Sequence, residues 1–343
     1  MKKMLNTLYV TTQGAYLCHE GESVLVNVEK ETRLRVPIHT LSGIVCFGQV
    51  TCSQPLMGLC GERGVALTYL SERGQFLARV YGPVSGNVLL RREQYRRAED
   101  PSRAVRIARN VVIGKMLNCR TVLQRVLRDH AEKQDEDVLD AVVRRLGRLA
   151  EETEREENME TLRGMEGNAA NEYFSVFDKL ITAQKEDFVF QRRSRRPPLD
   201  AVNALLSFIY TLLVHDAAAA LEGVGLDPQM GFLHALRPGR PSLALDLMEE
   251  FRPFLADRLV LSLINLRQVE AKGFQKTESG AVLMNDETRK TVLVAYQKRK
   301  QEEVLHPFLE EIVSVGLLLH VQALLLARHL RGDLDAYPPF IWK

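Results

Sequence analysis

The hydrophobic pattern of this chain changes near residue 81, and this change constrains the fold more than any other feature. Before it, short segments rich in β-branched residues are separated by polar or glycine-containing breaks, as in LYVTT, AYLCHE, SVLVNVE and TRLRVPI. Such segments are typical of strands. SGIVCFG and GVALTYL are nearly continuous apolar runs, which suit strands buried on both faces. Between them, SQPLMGLCGER predicts one helix with Ser53 as its N-cap.

After the Gly-, Pro- and Ser-rich segment YGPVSGNV, which predicts a hinge or linker, apolar residues recur at helical spacing. We expect helices within 89–127 and 135–163, and near 253–271 and 287–332. The acidic stretch EETEREENME is expected to be a solvated face or loop. LDAVNALLSFIYTLLVHDAAAALEGVG carries too few charges for a surface helix, which predicts a helix at the centre of this part of the chain.

These patterns predict an α+β protein with a small N-terminal β domain followed by a larger all-helical C-terminal domain. We place the β domain at residues 1–82, a linker at 83–100 and the helical domain at 101–343. A chain of 343 residues is long enough for two domains, because single cores usually stop growing at about 250–300 residues.

Composition and charge exclude few function classes. The formal net charge of +2 does not indicate a nucleic-acid binder, so any such role must depend on where the arginines lie. No run of about 18 apolar residues is free of charge, and the N-terminus has no secretory pattern. The cysteines show no CxxC spacing, which favours reduced thiols in a cytoplasmic protein without a membrane segment; they are Cys18, Cys46, Cys52, Cys60 and Cys119.

Two segments hold residues that suit chemistry. In RGMEGNAANEYF, Glu166 is flanked by glycine and alanine, which would let a ligand or another helix approach its carboxylate. A charge that caps a helix N-terminus is the alternative. In GFLHALRPGRPSL, His234 lies in a turn-rich stretch between Gly231 and Pro238. A histidine on such a loop is a better site candidate than one inside a helix.

A third segment, LALDLMEEFRP, places Asp246, Glu249 and Glu250 within five positions of one helix. Three carboxylates this close repel one another unless a cation balances them. A solvated acidic face is the alternative, but the apolar neighbours argue against full exposure. Carboxylates together with one imidazole suit Mg²⁺ or Mn²⁺. A cation bound in this way acts on phosphodiesters.

Arginine clusters supply the positive charge that a phosphate substrate needs. QRRSRRPP contains four arginines, and two more follow His234; we assign these six to DNA binding, namely Arg192, Arg193, Arg195, Arg196, Arg237 and Arg240. LLRREQYRR forms a second cluster around Tyr95, which could stack on a base. Solvated arginine loops without a ligand are the alternative interpretation.

Three stretches resemble the CRISPR-associated integrase family, that of the first Cas protein: PIHTLSGIVCFG, RGMEGNAANEYF and GFLHALRPGRPSLALDLMEEFRP. The resemblance covers nearly the whole chain and is nearest to type I-C members. It implies that Glu166, His234 and Glu249 hold the metal and are catalytic. The family often has aspartate at the last of these positions. Asp246 would be a supporting carboxylate, and Glu250 the alternative ligand.

The resemblance also implies an activity and partners. Family members form homodimers that assemble with the second Cas protein on double-stranded DNA. The 3′-hydroxyl of a short foreign fragment attacks a phosphodiester at the CRISPR repeat, while the metal ion activates that hydroxyl and neutralises charge. A nuclease or resolvase without integration is one alternative. A non-catalytic DNA scaffold that uses only the arginine clusters is another.

Overall fold

The computed structural model describes residues 6–72, 76–80, 82, 88–129 and 133–343. By its internal contacts the chain divides into two units. The first takes the described residues up to Gly82 together with 292–302 and 314–317. The second takes the described residues from Val88 to Thr291 together with 303–313 and 318–343.

The first unit is rich in strands, which follow the predicted apolar segments closely. They are β1 Asn6–Val10, β2 Tyr16–Glu20, β3 Ser23–Val28, β4 Glu31–Pro37, β5 Leu41–Phe47, β6 Thr51–Cys52, β7 Ala66–Leu70 and β8 Phe76–Val80. One sheet has the order β1-β5-β7-β8 and the other the order β4-β3-β2-β6. β5 pairs in parallel with both β1 and β7, and β7 also pairs with β8, so both apolar runs are internal strands. The described side chains of β5 are buried as expected, whereas Ala66 and Tyr69 of β7 are half-buried. β6 and β8 were not predicted.

Helix α1, Gln54–Arg63, is the predicted helix between β5 and β7. The Ser53 hydroxyl accepts a hydrogen bond from the Leu56 amide at 3.3 Å, which caps the helix as expected. The helix ends at Gly64, whose φ of 66° lies in the left-handed region that favours glycine. Leu56 and Cys60 point from α1 into the apolar core of this unit.

The rest of the chain is mainly helical. Its helices are α2 Val88–Glu99, α3 Pro101–Asp129, α4 Lys133–Thr153, α5 Met159–Ser175, α6 Ala201–Gly223, α7 Ser242–Glu249, α8 Arg258–Asn265, α9 Asp286–Gln301 and α10 Leu318–Arg331. A π-helical turn, Arg252–Asp257, joins α7 to α8. Two short hairpins, β9 Phe274–Lys276 with β10 Val282–Met284 and β11 Glu303–Leu305 with β12 Ile312–Ser314, lie between helices.

Three expectations need correction. The C-terminal part is not all-helical, because it includes these two hairpins. Residues 88–99, which were assigned to the linker, form α2; most of the predicted hinge YGPVSGNV lies outside the described residues. The helix expected over 287–332 is interrupted between α9 and α10. Pro307 lies in this interruption, and proline cannot occupy a helix interior without removing a hydrogen bond.

Helix α6 occupies the core of the second unit, as predicted. By length and composition it could cross a membrane, but 61% of its most apolar window is buried inside the protein. That degree of burial is typical of the core helix of a soluble protein. Its N-cap is Asp200, whose carboxylate accepts a hydrogen bond from the Asn203 amide at 2.7 Å.

Candidate active site

Glu166 lies inside α5 rather than before a helix. Asn158 caps this helix by accepting hydrogen bonds from the amides of Glu160 and Thr161, so Glu166 is two turns from the N-terminus. The capping alternative is therefore excluded. A Cβ added at Gly164 or Gly167 would meet nothing within 4 Å. The surface on either side of Glu166 is open, and its own side chain is 27% exposed.

Asp246 organises the loop that carries His234. One carboxylate oxygen of Asp246 accepts hydrogen bonds from the amides of Phe232 and Leu233, at 2.6 and 2.9 Å. The other oxygen accepts from the His234 amide at 3.0 Å and lies 2.7 Å from His234 Nδ1. A Cβ at Gly231 would lie 2.8 Å from Asp246 Oδ2, so only glycine permits this close approach.

This contact sets the tautomer of His234. With Nδ1 donating to Asp246, Nε2 carries the lone pair. Nε2 lies 3.7 Å from Glu249 Oε1, so the imidazole faces α7. Arg163 also attaches the loop to α5, because its Nε donates a hydrogen bond to the Leu233 carbonyl at 2.7 Å. The loop is thus fixed on both sides of the histidine.

Glu249 is the acidic residue of α7 that faces His234. Its side chain is only 2% exposed, with Oε1 3.1 Å from Arg252 Nη1 and Oε2 2.7 Å from Lys115 Nζ. Burial alone would raise the pKa of Glu249, but the neighbouring Arg252 and Lys115 outweigh burial and lower it.

Glu250 points away from this cluster. Its carboxylate accepts hydrogen bonds from the Tyr337 hydroxyl and the Phe340 amide, both at 2.7 Å, and from Gln322 Nε2 at 3.1 Å. Burial raises the pKa of Glu250 to about 8. This residue therefore anchors the C-terminal segment and does not meet Glu166 or His234.

Sequence reasoning missed a fourth member of the cluster, Lys115 of α3. Its ammonium forms ion pairs with both Glu166 Oε1 and Glu249 Oε2, and its side chain is 7% exposed. A signal was present, because IGKMLNC sets this lysine on the buried face of α3 beside Met116 and Cys119. A buried lysine needs partners of opposite charge.

The residue types of this cluster are those found in divalent-cation sites, but its geometry around Lys115 is that of an ion-pair cluster. Among the described residues, no three His, Cys, Asp or Glu side chains stand at metal-ligating positions. The Lys115 ammonium lies between the two glutamates and supplies the positive charge there. Two carboxylates, an available imidazole Nε2 and a carboxylate behind that imidazole are ligands and support of the kind that Mg²⁺ and Mn²⁺ sites use.

Comparison with known proteins identifies the family of this chain. The model of the CRISPR associated protein Cas1 family matches residues 8–298. The chain belongs to the Cas1 family. It is 56% identical to the CRISPR-associated endonuclease Cas1 1 of Chlorobaculum tepidum, over 100% of both chains. It is 52% identical to the CRISPR-associated endonuclease Cas1 2 of Rhodospirillum rubrum, again over 100% of both.

Solved structures agree on the Cas1 fold. A Cas1 protein from Thermotoga maritima superimposes with a TM-score of 0.81 at 26% identity, covering 95% of this chain and 97% of that one. A chain of a Cas6-RT-Cas1–Cas2 complex gives a TM-score of 0.82 at 22% identity, covering 100% of this chain and 36% of that one. A casposase bound to integration product gives 0.81 at 22% identity, covering 98% and 94%. The last two comparisons show a shared fold.

The arginines assigned to DNA binding in this Cas1-family chain separate into exposed and internal residues. Arg192, Arg195 and Arg196 are at least partly exposed. The Arg193 guanidinium instead turns inward, where Nη1 donates to Asn203 Oδ1 at 2.6 Å and the group lies 5.3 Å from the Tyr210 ring centroid. Burial lowers the pKa of Arg193. Its contacts are those of a structural residue, which removes it from the exposed cluster.

The other arginines differ in the same way. Arg237 is exposed and lines an open pocket next to the His234 loop, whereas Arg240 is half-buried. In the second cluster, Arg91 Nε donates to the Gly225 carbonyl at 3.2 Å. The Tyr95 hydroxyl donates to Asp227 at 2.7 Å. These contacts attach α2 to the segment that precedes the His234 loop, so Arg91 and Tyr95 have structural roles, whereas Arg92 and Arg96 are exposed.

Proposed function

We propose that this chain is a metal-dependent DNA endonuclease and integrase of CRISPR adaptation, which inserts short foreign DNA fragments into the CRISPR array. The observation that carries the proposal is the convergence of Glu166, His234 and Glu249 from α5, a loop and α7 onto one partly open cluster. The names of the close relatives, CRISPR-associated endonucleases, support the same activity.

In this proposal Glu166, His234 Nε2 and Glu249 would hold Mg²⁺ or Mn²⁺, which would supply positive charge next to a scissile phosphate. Asp246 keeps the histidine in the tautomer that leaves Nε2 available. Glu250 has no part in binding the ion, because its oxygens accept hydrogen bonds on the other side of α7.

The reaction is a phosphodiester exchange. The 3′-hydroxyl of a fragment attacks the phosphorus of a repeat phosphodiester, a new P–O bond forms, and the former 3′-oxygen leaves. Water in place of that hydroxyl gives cleavage. Arg192, Arg195, Arg196 and Arg237, with half-buried Arg240, would hold DNA phosphates in register.

The proposed partners are double-stranded DNA, a second copy of this chain and the second Cas protein, Cas2. The shared fold with a chain of a Cas6-RT-Cas1–Cas2 complex is compatible with that assembly. The resemblance noted from the sequence suggests type I-C as the subtype.

A strand-transfer assay on supercoiled repeat DNA tests the proposal. With Mn²⁺ and Cas2 present, the wild-type protein is expected to join fragments to the repeat. Glu166→Gln and His234→Gln keep similar side-chain size but lose a ligand, so each is expected to lower joining by at least about 100-fold. Joining that persists in both variants would remove these residues from the mechanism.

The same assay separates the alternatives. Cleavage without any joined product, even with Cas2 supplied, would favour a nuclease or resolvase. DNA binding without cleavage or joining in either metal would favour a non-catalytic scaffold.

A further inference from the structure

Lys115 is an unusual residue for the interior of a helical unit. Its side chain is 7% exposed, on the face of α3 that also buries Val111, Val112, Met116 and Cys119. Removing an ammonium from water costs several kcal/mol unless close partners offset the loss. Its ionic partners here are Glu166 and Glu249, the two glutamates of the candidate active site.

The formal charges of the cluster indicate what the lysine does. Three carboxylates, Glu166, Asp246 and Glu249, face two permanent cations, Lys115 and Arg252. The neighbouring carboxylate of Asp257 is balanced by a third cation, Arg193. With His234 neutral, the cluster carries one excess negative charge. Withdrawal of the ammonium would leave two, which is the charge of one divalent cation.

The two cations are held differently. The Arg252 guanidinium pairs with Glu249 Oε1 at 3.1 Å and also lies 4.9 Å from the Tyr210 ring centroid, so it is fixed from two directions. Lys115 reaches the glutamates on a flexible four-carbon stem and ends between their oxygens. Of the two, the lysine has the more flexible side chain and the fewer fixing contacts.

We propose that Lys115 is a resident counter-ion of the Glu166–Glu249 pair, which holds these carboxylates together before metal binds and then yields its place to the divalent cation. The lysine thereby sets the metal affinity of the site, and its loss would tighten metal binding. This inference rests on the proposed function, because it assumes that the cluster is the metal site.

Titration with Mn²⁺ alone, in the absence of DNA, tests the inference by calorimetry. Lys115→Met removes the charge at similar length, so its Kd for Mn²⁺ should fall at least about tenfold, since a unit charge within about 4 Å is worth several kcal/mol at intermediate dielectric. Lys115→Arg keeps the charge and pairs more firmly with carboxylates, so its Kd should rise. Lys179→Met is the matched control: Lys179 pairs with Asp135 outside the cluster, and its Kd should equal that of the wild type.

Thermal unfolding supplies a second measurement. In EDTA, Lys115→Met should melt below the wild type, because the two glutamates then repel each other without a cation between them. Saturating Mn²⁺ should close most of that gap. If Lys115→Met does not fold in EDTA, the Kd of Lys115→Arg decides the question by itself, and a Kd no higher than that of the wild type would refute the inference.

Two kinds of failure are distinguishable. If the wild type binds Mn²⁺ and joins DNA while Lys115→Met binds Mn²⁺ no more tightly, the resident counter-ion is wrong and the proposed function stands. If the wild type neither binds Mn²⁺ nor processes DNA, and Glu166→Gln changes nothing, the proposed function itself fails and the inference fails with it.

Discussion

Three acidic residues within five positions of the α7 segment have three different environments. Asp246 accepts hydrogen bonds from three consecutive backbone amides and contacts His234 Nδ1. Glu249 is balanced by cations, and Glu250 by neutral donors of the C-terminal segment. The shifts follow from these environments, since the pKa of Glu249 is lowered and that of Glu250 raised. Acidic residues that are close in sequence thus lie in different electrostatic environments.

Asp246→Asn should damage the site without touching a proposed ligand. An amide cannot accept all four of these hydrogen bonds, and its NH₂ group opposes the backbone donors, so the His234 ring loses its fixed tautomer. We expect DNA joining and Mn²⁺ affinity to fall about 10–100-fold, with an unfolding free energy lower by about 1–3 kcal/mol. Asp227→Asn is the control, because Asp227 bonds to Tyr95 and Gln229 instead. Equal effects of both substitutions would contradict this role.

Glu250→Gln should change how stability depends on pH. Burial raises the pKa of Glu250 from its ordinary value of 4.5 to about 8, so between these values the folded state holds a proton that the unfolded state has lost. Stability then falls as pH rises through that window. Between pH 6.5 and 8.5, we expect the wild type to lose up to about 2 kcal/mol relative to Glu250→Gln. Urea denaturation in metal-free buffer at each pH measures the unfolding free energy of both proteins. Parallel plots of that free energy against pH would refute the prediction.

At this scale the sequence marked some residues of the candidate site and not others, for physical reasons. Glu166 and His234 lie in segments whose small or turn-forming neighbours mark them. The choice among Asp246, Glu249 and Glu250 depended on family resemblance, because residues three or four apart on a helix share a face in any pattern. What separates them is contact with residues 232–234 and with the C-terminal segment, which spacing does not reveal.

Among the elements, α3 contacts both the candidate active site and the C-terminal segment through residues that are close in sequence. Lys115 faces the glutamates, while the Asn118 amide donates to the carbonyls of Glu250 and Phe340 at 2.7 and 2.8 Å. A Cβ at Gly114 would lie 2.9 Å from Pro339, so glycine lets the C-terminal segment lie against the helix. The C-terminal segment therefore contacts both α3 and Glu250, the residue that follows α7.

Phe340→Ala should destabilise the protein more than most single substitutions. Phe340 is fully buried, stacks on Phe251 at 5.3 Å between ring centroids and meets Phe254 edge-on at 5.1 Å. Truncation in such a setting costs about 3–5 kcal/mol. Phe308→Ala, at a side chain that is 47% exposed, should cost under about 1 kcal/mol. Chemical denaturation followed by circular dichroism compares the two, and similar losses would contradict the assignment.

The order of elements was easier to predict than their interruptions. The sequence pattern predicted the strands and helices that have a clear apolar period, including β5, β7 and α6, and the structure contains them. The hairpin β11–β12 was missed because the helical period continues on both sides of it. Pro307 was the available signal for that break.

For the whole molecule, net charge says little about DNA binding. The total is only +2, and several arginines form internal contacts, as Arg193 does with Asn203 and Arg91 with Gly225. Exposed arginines remain near the Pro197–Pro198 break and after His234. Location, rather than number, decides which arginines can reach a phosphate.

Replacing Arg192, Arg195 and Arg196 together with alanine should weaken both DNA binding and its salt dependence. For every phosphate that the triple variant no longer neutralises, the slope of log K against log[salt] should become shallower by about 0.9. Arg193→Ala is the internal comparison: it should lower thermal stability through Asn203 and Ser207, with little effect on the salt slope. Binding titrations at several salt concentrations measure this, and an unchanged slope in the triple variant would rule out the cluster.

The first unit is not continuous in sequence, since it includes residues 292–302 and 314–317. Within it, Lys300 Nζ donates to Thr7 Oγ1 at 3.2 Å, which joins residues 293 positions apart. At about 5–20 residues per second of synthesis, the β-strands leave the ribosome roughly ten to forty seconds before these later residues follow. The nascent strands therefore remain for that time without part of their own unit, and the surface that those later residues contact stays exposed. Slow translation, or a chaperone that holds the nascent chain, would therefore change the folding yield of this protein more than its final stability.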